Sequence, residues 1–342
     1  MPAIKPLYLL HELTVRTIYS DLKQRAAAAG EILPGTPGTL VKRTTAQGHK
    51  YWYRSYYPVP KKRLEVIVGR ADDTLAYETM LQQISYAAWA AKQVASLSKL
   101  GFQSADKEVA AVLVELHNRH VFNAGLVVVG TLAYMSWLNE YGAIATAART
   151  QDIDLARGKT LKLAAKVPFL STMKATQLPF HPIPGMPSHT PSTSVKLRGV
   201  DALHVDILAP GPRLGDIIEI PELAWHAQTI PFYDYLLEDA RSAAMLAGGH
   251  CIPVKLPDAQ RMIWHKFYSS MQRKSDPAKA EKDLVQAVTL AAILVEQDSV
   301  NLHESYLEAP QELRAATLSR IPRIRDLLRQ HPQALDEFSA LR

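Results

Sequence analysis

The chain has 342 residues, 47% of them hydrophobic and 21% charged, with a formal net charge of +6 and one cysteine, Cys251. Such a length favours two or three domains over one core, and the composition is that of a soluble globular chain. A single thiol excludes a disulfide framework and a thiolate zinc site, and leaves Cys251 as a small buried residue.

No apolar run reaches the ~20 residues of a membrane span, and the first ten residues lack the layout of a secretion signal. The expectation is a cytoplasmic protein with no membrane partner. The modest positive charge permits a polyanionic partner without requiring one.

Residues 8–29 read as a helix, with Leu9, Leu10, Leu13, Ile18 and Leu22 on one face and Gly30 as its stop. Three segments rich in β-branched and aromatic residues follow at 39–43, 49–54 and 63–68, punctuated by Gly48, Pro58 and Pro60. They predict an antiparallel meander. Its Lys42, Arg43, Lys50, Arg54, Lys61, Lys62 and Arg63 interleave with Tyr51, Trp52, Tyr53, Tyr56 and Tyr57. One packed aromatic face beside a solvated charged face accounts for this pattern. Stacking on bases, with the cations on phosphates, is the second reading.

Helices are predicted over 73–100 and 106–122, an apolar strand over 126–129, and a helix over 131–141 stopped by Gly142. Asp152–Leu155 reads as a strand, and Leu203–Leu208 alternates as another. The Pro-rich stretch between 168 and 257 reads as loop-rich. From Asp258 on, helices are predicted over 258–273, 277–296, 300–308, 310–318 and 321–329, separated by Pro, Asp or Asn. The fold class is α+β. A helix and meander occupy 1–72, a small mixed β-sheet core with its preceding helices 73–257, and a helical domain 258–342.

Asp152 and Asp154 carry the chemistry. Two carboxylates one residue apart on a strand point to the same face, because the side-chain period is two. Ile153 then faces the core. Such a pair arises by chance roughly once in a chain this long, so its context matters. Upstream, a buried strand ends in Gly130-Thr131 and opens a helix. Glycine allows close backbone approach to a ligand, and amides at a helix start hold phosphate oxygens. Thr131 also suits the N-cap position. Asp206 is the candidate third carboxylate, since an acid in an apolar strand is costly without a cation or donor. His204 shares its face and reads as a supporting or surface residue.

The segments Leu126–Tyr134 and Thr150–Ala156 resemble the signature of the DNA polymerase β-type nucleotidyltransferases: an apolar strand, a small-residue turn opening a helix, then D-h-D on the next strand. Within that superfamily the chain is similar to a bacterial group with a Tyr-Trp-Tyr hairpin, here Tyr51–Tyr53. Thr131 stands where Ser or Gly is usual, and the gap from Gly130 to Asp152 is longer than typical. A second block, Pro257–Lys266 followed by Lys279–Leu284, is similar to a pattern in AbiEii-like toxins.

The resemblance implies transfer of a nucleoside monophosphate from an NTP to an acceptor, with pyrophosphate released and two Mg²⁺ ions, or Mn²⁺, as cofactors. Asp152, Asp154 and Asp206 would hold the metals. Gly130 and Thr131 would hold the β,γ-phosphates. Lys266 would touch phosphate, oriented by Asp283, although a helix–helix ion pair between these two explains them equally simply. RNA, tRNA, a protein side chain or a small molecule is the acceptor class, and a toxin role rests on analogy alone.

Arg149 is a further phosphate candidate, and Arg320, Arg323, Arg325 and Arg329 form a basic stretch that suits either solvent or RNA. The alternative function is a nucleic-acid-binding regulator on a degenerate nucleotidyltransferase fold. A D-x-D glycosyltransferase is disfavoured, because no series of βα units precedes Asp152.

Overall fold

A computed structural model describes residues 5–146, 150–199 and 202–341. The chain opens with strand β1 (Tyr8–Leu10), helix α1 (Leu13–Ala28), strands β2 (Thr39–Thr44), β3 (Lys50–Val59) and β4 (Lys62–Arg70), and helices α2 (Thr74–Lys99) and α3 (Lys107–Asn118). The middle comprises β5 (Leu126–Val128), α4 (Gly130–Glu140), β6 (Ala143–Ala145), β7 (Asp152–Arg157), α5 (Phe169–Ala175), β8 (His181–Pro182), β9 (Ser194–Lys196), β10 (His204–Pro210), β11 (Ile217–Ile220), β12 (Trp225–Ile230), α6 (Tyr233–Leu236), β13 (Arg241–Ala247) and β14 (His250–Leu256). Helices α7 (Ala259–Gln272), α8 (Pro277–Asp298), α9 (Leu302–Glu308), α10 (Gln311–Leu327) and α11 (Pro332–Ala340) complete it. The fold is α+β, as the patterns predicted. Among the described residues no helix is long and apolar enough to cross a membrane.

The central sheet runs β11-β12-β10-β7-β5, with β8 and β9 continuing from β10. Strand β10 is parallel to β7 and β12, whereas β5 is antiparallel to β7. Ile153, Leu155, Val205 and Ile207 are fully buried, and they form one face of the β7–β10 pair. The long helices α7 and α8 pack against each other and, with α4, belong to the same buried cluster as this sheet. A smaller cluster joins α1, α2 and β14 around Leu22, Leu97 and Cys251.

The start of the chain differs from expectation. Residues 8–10 form a strand paired with β6, Tyr8 opposite Ala145, and the helix begins only at Leu13. The apolar residues that suggested an earlier helix are not on a buried face: Leu9 is 60% exposed and Leu13 76%. Tyr8 is instead held by tertiary contacts, its hydroxyl donating to Glu296 at 2.7 Å. The β13–β14 hairpin, read as loop, is a regular antiparallel ladder from Arg241↔Leu256 to Ala247↔His250. Near the C-terminus one helix, α10, replaces the two expected around Pro322. Proline removes one intrahelical N–H, but Leu318 and Pro322 both lie on the exposed side, where water can serve the freed carbonyl.

The meander forms as predicted, in the order β2-β3-β4. Trp52 packs on Tyr77 of α2 with ring centroids 4.7 Å apart. Arg54, read as a potential phosphate ligand, is only 3% exposed. It donates to the carbonyls of Pro34, Thr36 and Pro37 at 2.8, 2.6 and 3.0 Å and lies over the Tyr56 ring. Its charge ties the 34–37 loop to β3 and is closed to a nucleic acid.

Candidate active site

In the β7–β10 pair, Asp152 stands opposite His204 and Asp154 opposite Asp206. Strand alternation therefore puts three carboxylates and one imidazole on the face away from the buried Ile153 and Val205. His204 Nδ1 lies 3.6 Å from Asp152 Oδ1. Ser194, opposite Asp206 on β9, hydrogen-bonds its carboxylate.

The β5–α4 turn closes over this row. The amide of Val129 donates to the carbonyl of Asp154 at 3.0 Å. Gly130 follows with φ +67°, the left-handed region that favours glycine. A Cβ added there would overlap Asp154 Oδ2 and lie 3.1 Å from its Cγ. Thr131 is buried at the edge of the cleft, but it does not cap the helix as expected. The N-cap is Val129, which has no capping side chain, so the first amides of α4 keep no side-chain acceptor.

Helices α7 and α8 form the opposite wall. Lys266 of α7 places Nζ 2.9 Å from Asp283 Oδ1, and Arg273, at the end of α7, places Nε 2.8 Å from Asp283 Oδ2. Lys266 and Asp283 thus make the interhelical ion pair and also line the same cleft as the three aspartates. That cleft has a volume of about 460 Å³. Lys279 and Lys282 of α8 add two more cations to it, and Gln228 and Tyr233 extend it past β12.

The electrostatics follow from this layout. Burial, then the neighbouring Asp206 and Asp152, push the Asp154 carboxyl up to about 7, against the pull of Lys266 and Arg273. Burial also raises Asp206, with Asp152 adding to it and Ser194 opposing. Asp283 behaves oppositely: burial raises it, but Lys266 and Arg273 outweigh burial and hold it below the usual carboxylate range. His265, also in the cleft, is driven down to about 4 by burial and so is neutral, its Nε2 3.2 Å from the Pro231 carbonyl.

Carboxylate oxygens are the donors that hard divalent cations such as Mg²⁺ take, and Asp152, Asp154 and Asp206 set such oxygens on one face of the β7–β10 pair. The donor set fits such an ion by chemistry. Among the described residues, however, no three His, Cys, Asp or Glu side chains are gathered closely enough to hold a metal as they stand.

The structure brings together every predicted site residue: Gly130, Thr131, Asp152, Asp154, Asp206, Lys266 and Asp283. Arg149 lies outside the described residues. Of the C-terminal arginines, Arg320 donates to the Ser270 carbonyl, Arg323 pairs with Glu281 and Arg329 with Asp326. Sequence reasoning missed Arg273 and gave Lys282 no role. The adjacency of Lys282 to Asp283 was the available signal for the second.

A nucleotidyltransferase family model matches residues 107–311, which is more than half of the chain and takes in all of these site residues. The chain therefore belongs to the nucleotidyltransferase family. The crystal structure of an antigenic nucleotidyltransferase-like protein from Paracoccidioides brasiliensis is similar at 16% identity, covering 68% of this chain and 92% of that one, with a TM-score of 0.36. No curated protein sequence matches the chain.

Proposed function

We propose that the chain transfers a nucleoside monophosphate from an NTP to an acceptor hydroxyl or phosphate in the cleft between the β7–β10 face and the α7–α8 wall. The observation that carries this reading is the register of β7 and β10, which sets Asp206 beside Asp154 in a row with Asp152 under Gly130. Phosphoryl-type transfer asks little covalent chemistry of a protein; it needs positioning and charge on both sides of the phosphorus. An acidic row facing a cationic wall is that arrangement.

In the reaction the acceptor oxygen bonds to the α-phosphorus, the α–β bridging P–O bond breaks, and pyrophosphate leaves. Two Mg²⁺ ions on Asp152, Asp154 and Asp206, with Mn²⁺ as a substitute, would supply Lewis-acid neutralisation of the developing charge. Asp206 takes the proton of an acceptor hydroxyl. Gly130 and the first amides of α4 hold phosphate oxygens, which no side chain at Gly130 obstructs. The α7–α8 cations balance the leaving pyrophosphate. A regulator on a degenerate fold would have no use for three carboxylates kept in one row.

The test is label transfer. Purified protein with each α-labelled NTP, Mg²⁺ and total RNA or lysate should place label on an RNA, a protein or a small molecule, and the labelled fraction identifies the acceptor class. Asp152→Ala with Asp154→Ala should abolish labelling. Equal labelling by the double variant would refute the assignment.

A further inference from the structure

We propose that Lys282 and Arg273 seat the distal phosphates of the nucleotide, while Lys266 is a buried counter-charge that fixes Asp283 between the two helices. This inference rests on the nucleotidyl-transfer reading above and moves the phosphate role away from Lys266.

Lys266 is poorly placed to meet a substrate. Its side chain is 7% exposed and its ammonium lies on Asp283, which is itself 6% exposed. Drawing that ammonium toward a ligand would weaken the neutralisation of a buried carboxylate, an arrangement proteins avoid. An ammonium in that position sets the wall's geometry and contributes its charge at a distance.

Arg273 is different. It sits at the end of α7, its side chain is 44% exposed, and it meets Asp283 through Nε. Among the described residues its two terminal nitrogens have no partner. The terminal N–H groups of a guanidinium form a fork, the geometry that donates to two phosphate oxygens. The ion pair with Asp283 keeps this guanidinium on the wall of the cleft, which Arg273 lines.

Lys282, next to Asp283 on α8, is half-buried and lines the same cleft. It makes no hydrogen bond or ion pair among the described residues. Three cations, Lys266, Arg273 and Lys282, therefore converge on the one carboxylate of Asp283. Around Asp283 this is a local surplus of positive charge; at Lys282 burial is the largest factor against the ammonium, Asp283 and Asp152 support it, and Lys266 and Arg273 oppose it. A mobile polyanion relieves that surplus. Across the cleft the aspartate row takes the α-phosphate end, so the β- and γ-phosphates extend onto this wall.

Calorimetric titration of the full chain with each of the four NTPs and its NMP, in Mg²⁺, tests the seat. Wild type should bind at least one NTP roughly tenfold or more tightly than the matching NMP. Lys282→Met and Arg273→Met should each reduce that preference by roughly fivefold to tenfold, with NMP affinity held within about twofold, and Lys282→Met should leave the melting temperature unchanged. Lys282→Arg, which keeps the charge, should retain it. An unchanged preference in both Met variants overturns the proposal, as does a parallel fall in NMP affinity, and so does a wild type with no preference. The label-transfer assay fails independently: a preserved triphosphate preference without transfer would remove the reaction and leave the seat.

Discussion

Gly130 and Asp154 occupy each other's space: a Cβ on the glycine would overlap the aspartate's Oδ2. The contact joins two elements that the sequence separates by more than twenty residues. Val129, just before the glycine, is hydrogen-bonded to the carbonyl of Asp154, so the helix start is fixed to the strand that carries the acidic row. The turn and the D-x-D pair are one unit.

Gly130→Ala is therefore expected to be damaging twice over. The φ of +67° strains any L side chain, at about 1–2 kcal/mol. The new methyl also displaces the Asp154 carboxylate. We expect a modest loss in melting temperature and a loss of transfer of roughly 100-fold or more, since small displacements at a reacting centre are that costly. Activity within a few-fold of wild type would show that Asp154 can move freely.

Lys266 and Asp283 make a buried pair at 2.9 Å. Removing one partner should cost about 3–5 kcal/mol, because the other charge is left behind. Lys266→Met should suffer less than Asp283→Leu, since Arg273 still neutralises Asp283 in the first case, whereas two cations lose their carboxylate in the second. The double variant Lys266→Met, Asp283→Leu should recover part of the loss. Chemical denaturation of the three variants measures the coupling, and strictly additive losses would mean that the pair is not coupled.

The acidic row was legible because strand periodicity is rigid: one residue between two aspartates fixes their common face. Asp206 was legible as an acid in an apolar strand, but its pairing with Asp154 rests on a parallel register set by the whole sheet. Arg273 was not legible. Its position depends on how tightly α8 folds back on α7 across a four-residue turn, which no local pattern encodes. The N-terminal strand was misread because its leucines suggested an amphipathic helix, while Tyr8 was committed to Glu296 far along the chain. The β13–β14 hairpin was hidden by Pro253 and by near-continuous burial, which erases alternation.

The meander yields a prediction that separates packing from binding. Arg54 serves three backbone carbonyls, so Arg54→Glu leaves them unsatisfied and buries a like-signed group against them, for a loss of about 2–4 kcal/mol. Lys50, exposed at the start of the central strand β3, should tolerate Glu with little change in stability. Thermal unfolding of both variants checks this. A stable Arg54→Glu protein that loses affinity for RNA would restore the nucleic-acid reading of the hairpin.

Asp154 ties stability to pH. Its folded carboxyl sits near 7 against an ordinary 3.8, so the folded state holds the proton more tightly than the unfolded chain. The sign is then set: the penalty is absent below the ordinary value, grows as pH rises, and is complete above about 7. Three units correspond to at most about 4 kcal/mol, and water reaching the half-buried carboxyl reduces the expected effect to about 1–2 kcal/mol. Asp154→Asn removes the charge and should melt a few degrees higher than wild type above neutral pH, with the difference shrinking as pH falls and vanishing only below the ordinary carboxylate value of 3.8. Millimolar Mg²⁺ should raise the wild-type melting temperature most where Asp154 is ionised and should narrow the gap to the variant. Should the variant melt lower than wild type in alkali, the carboxylate must already be stabilised within the fold, and burial with the crowding by Asp206 and Asp152 would not govern Asp154.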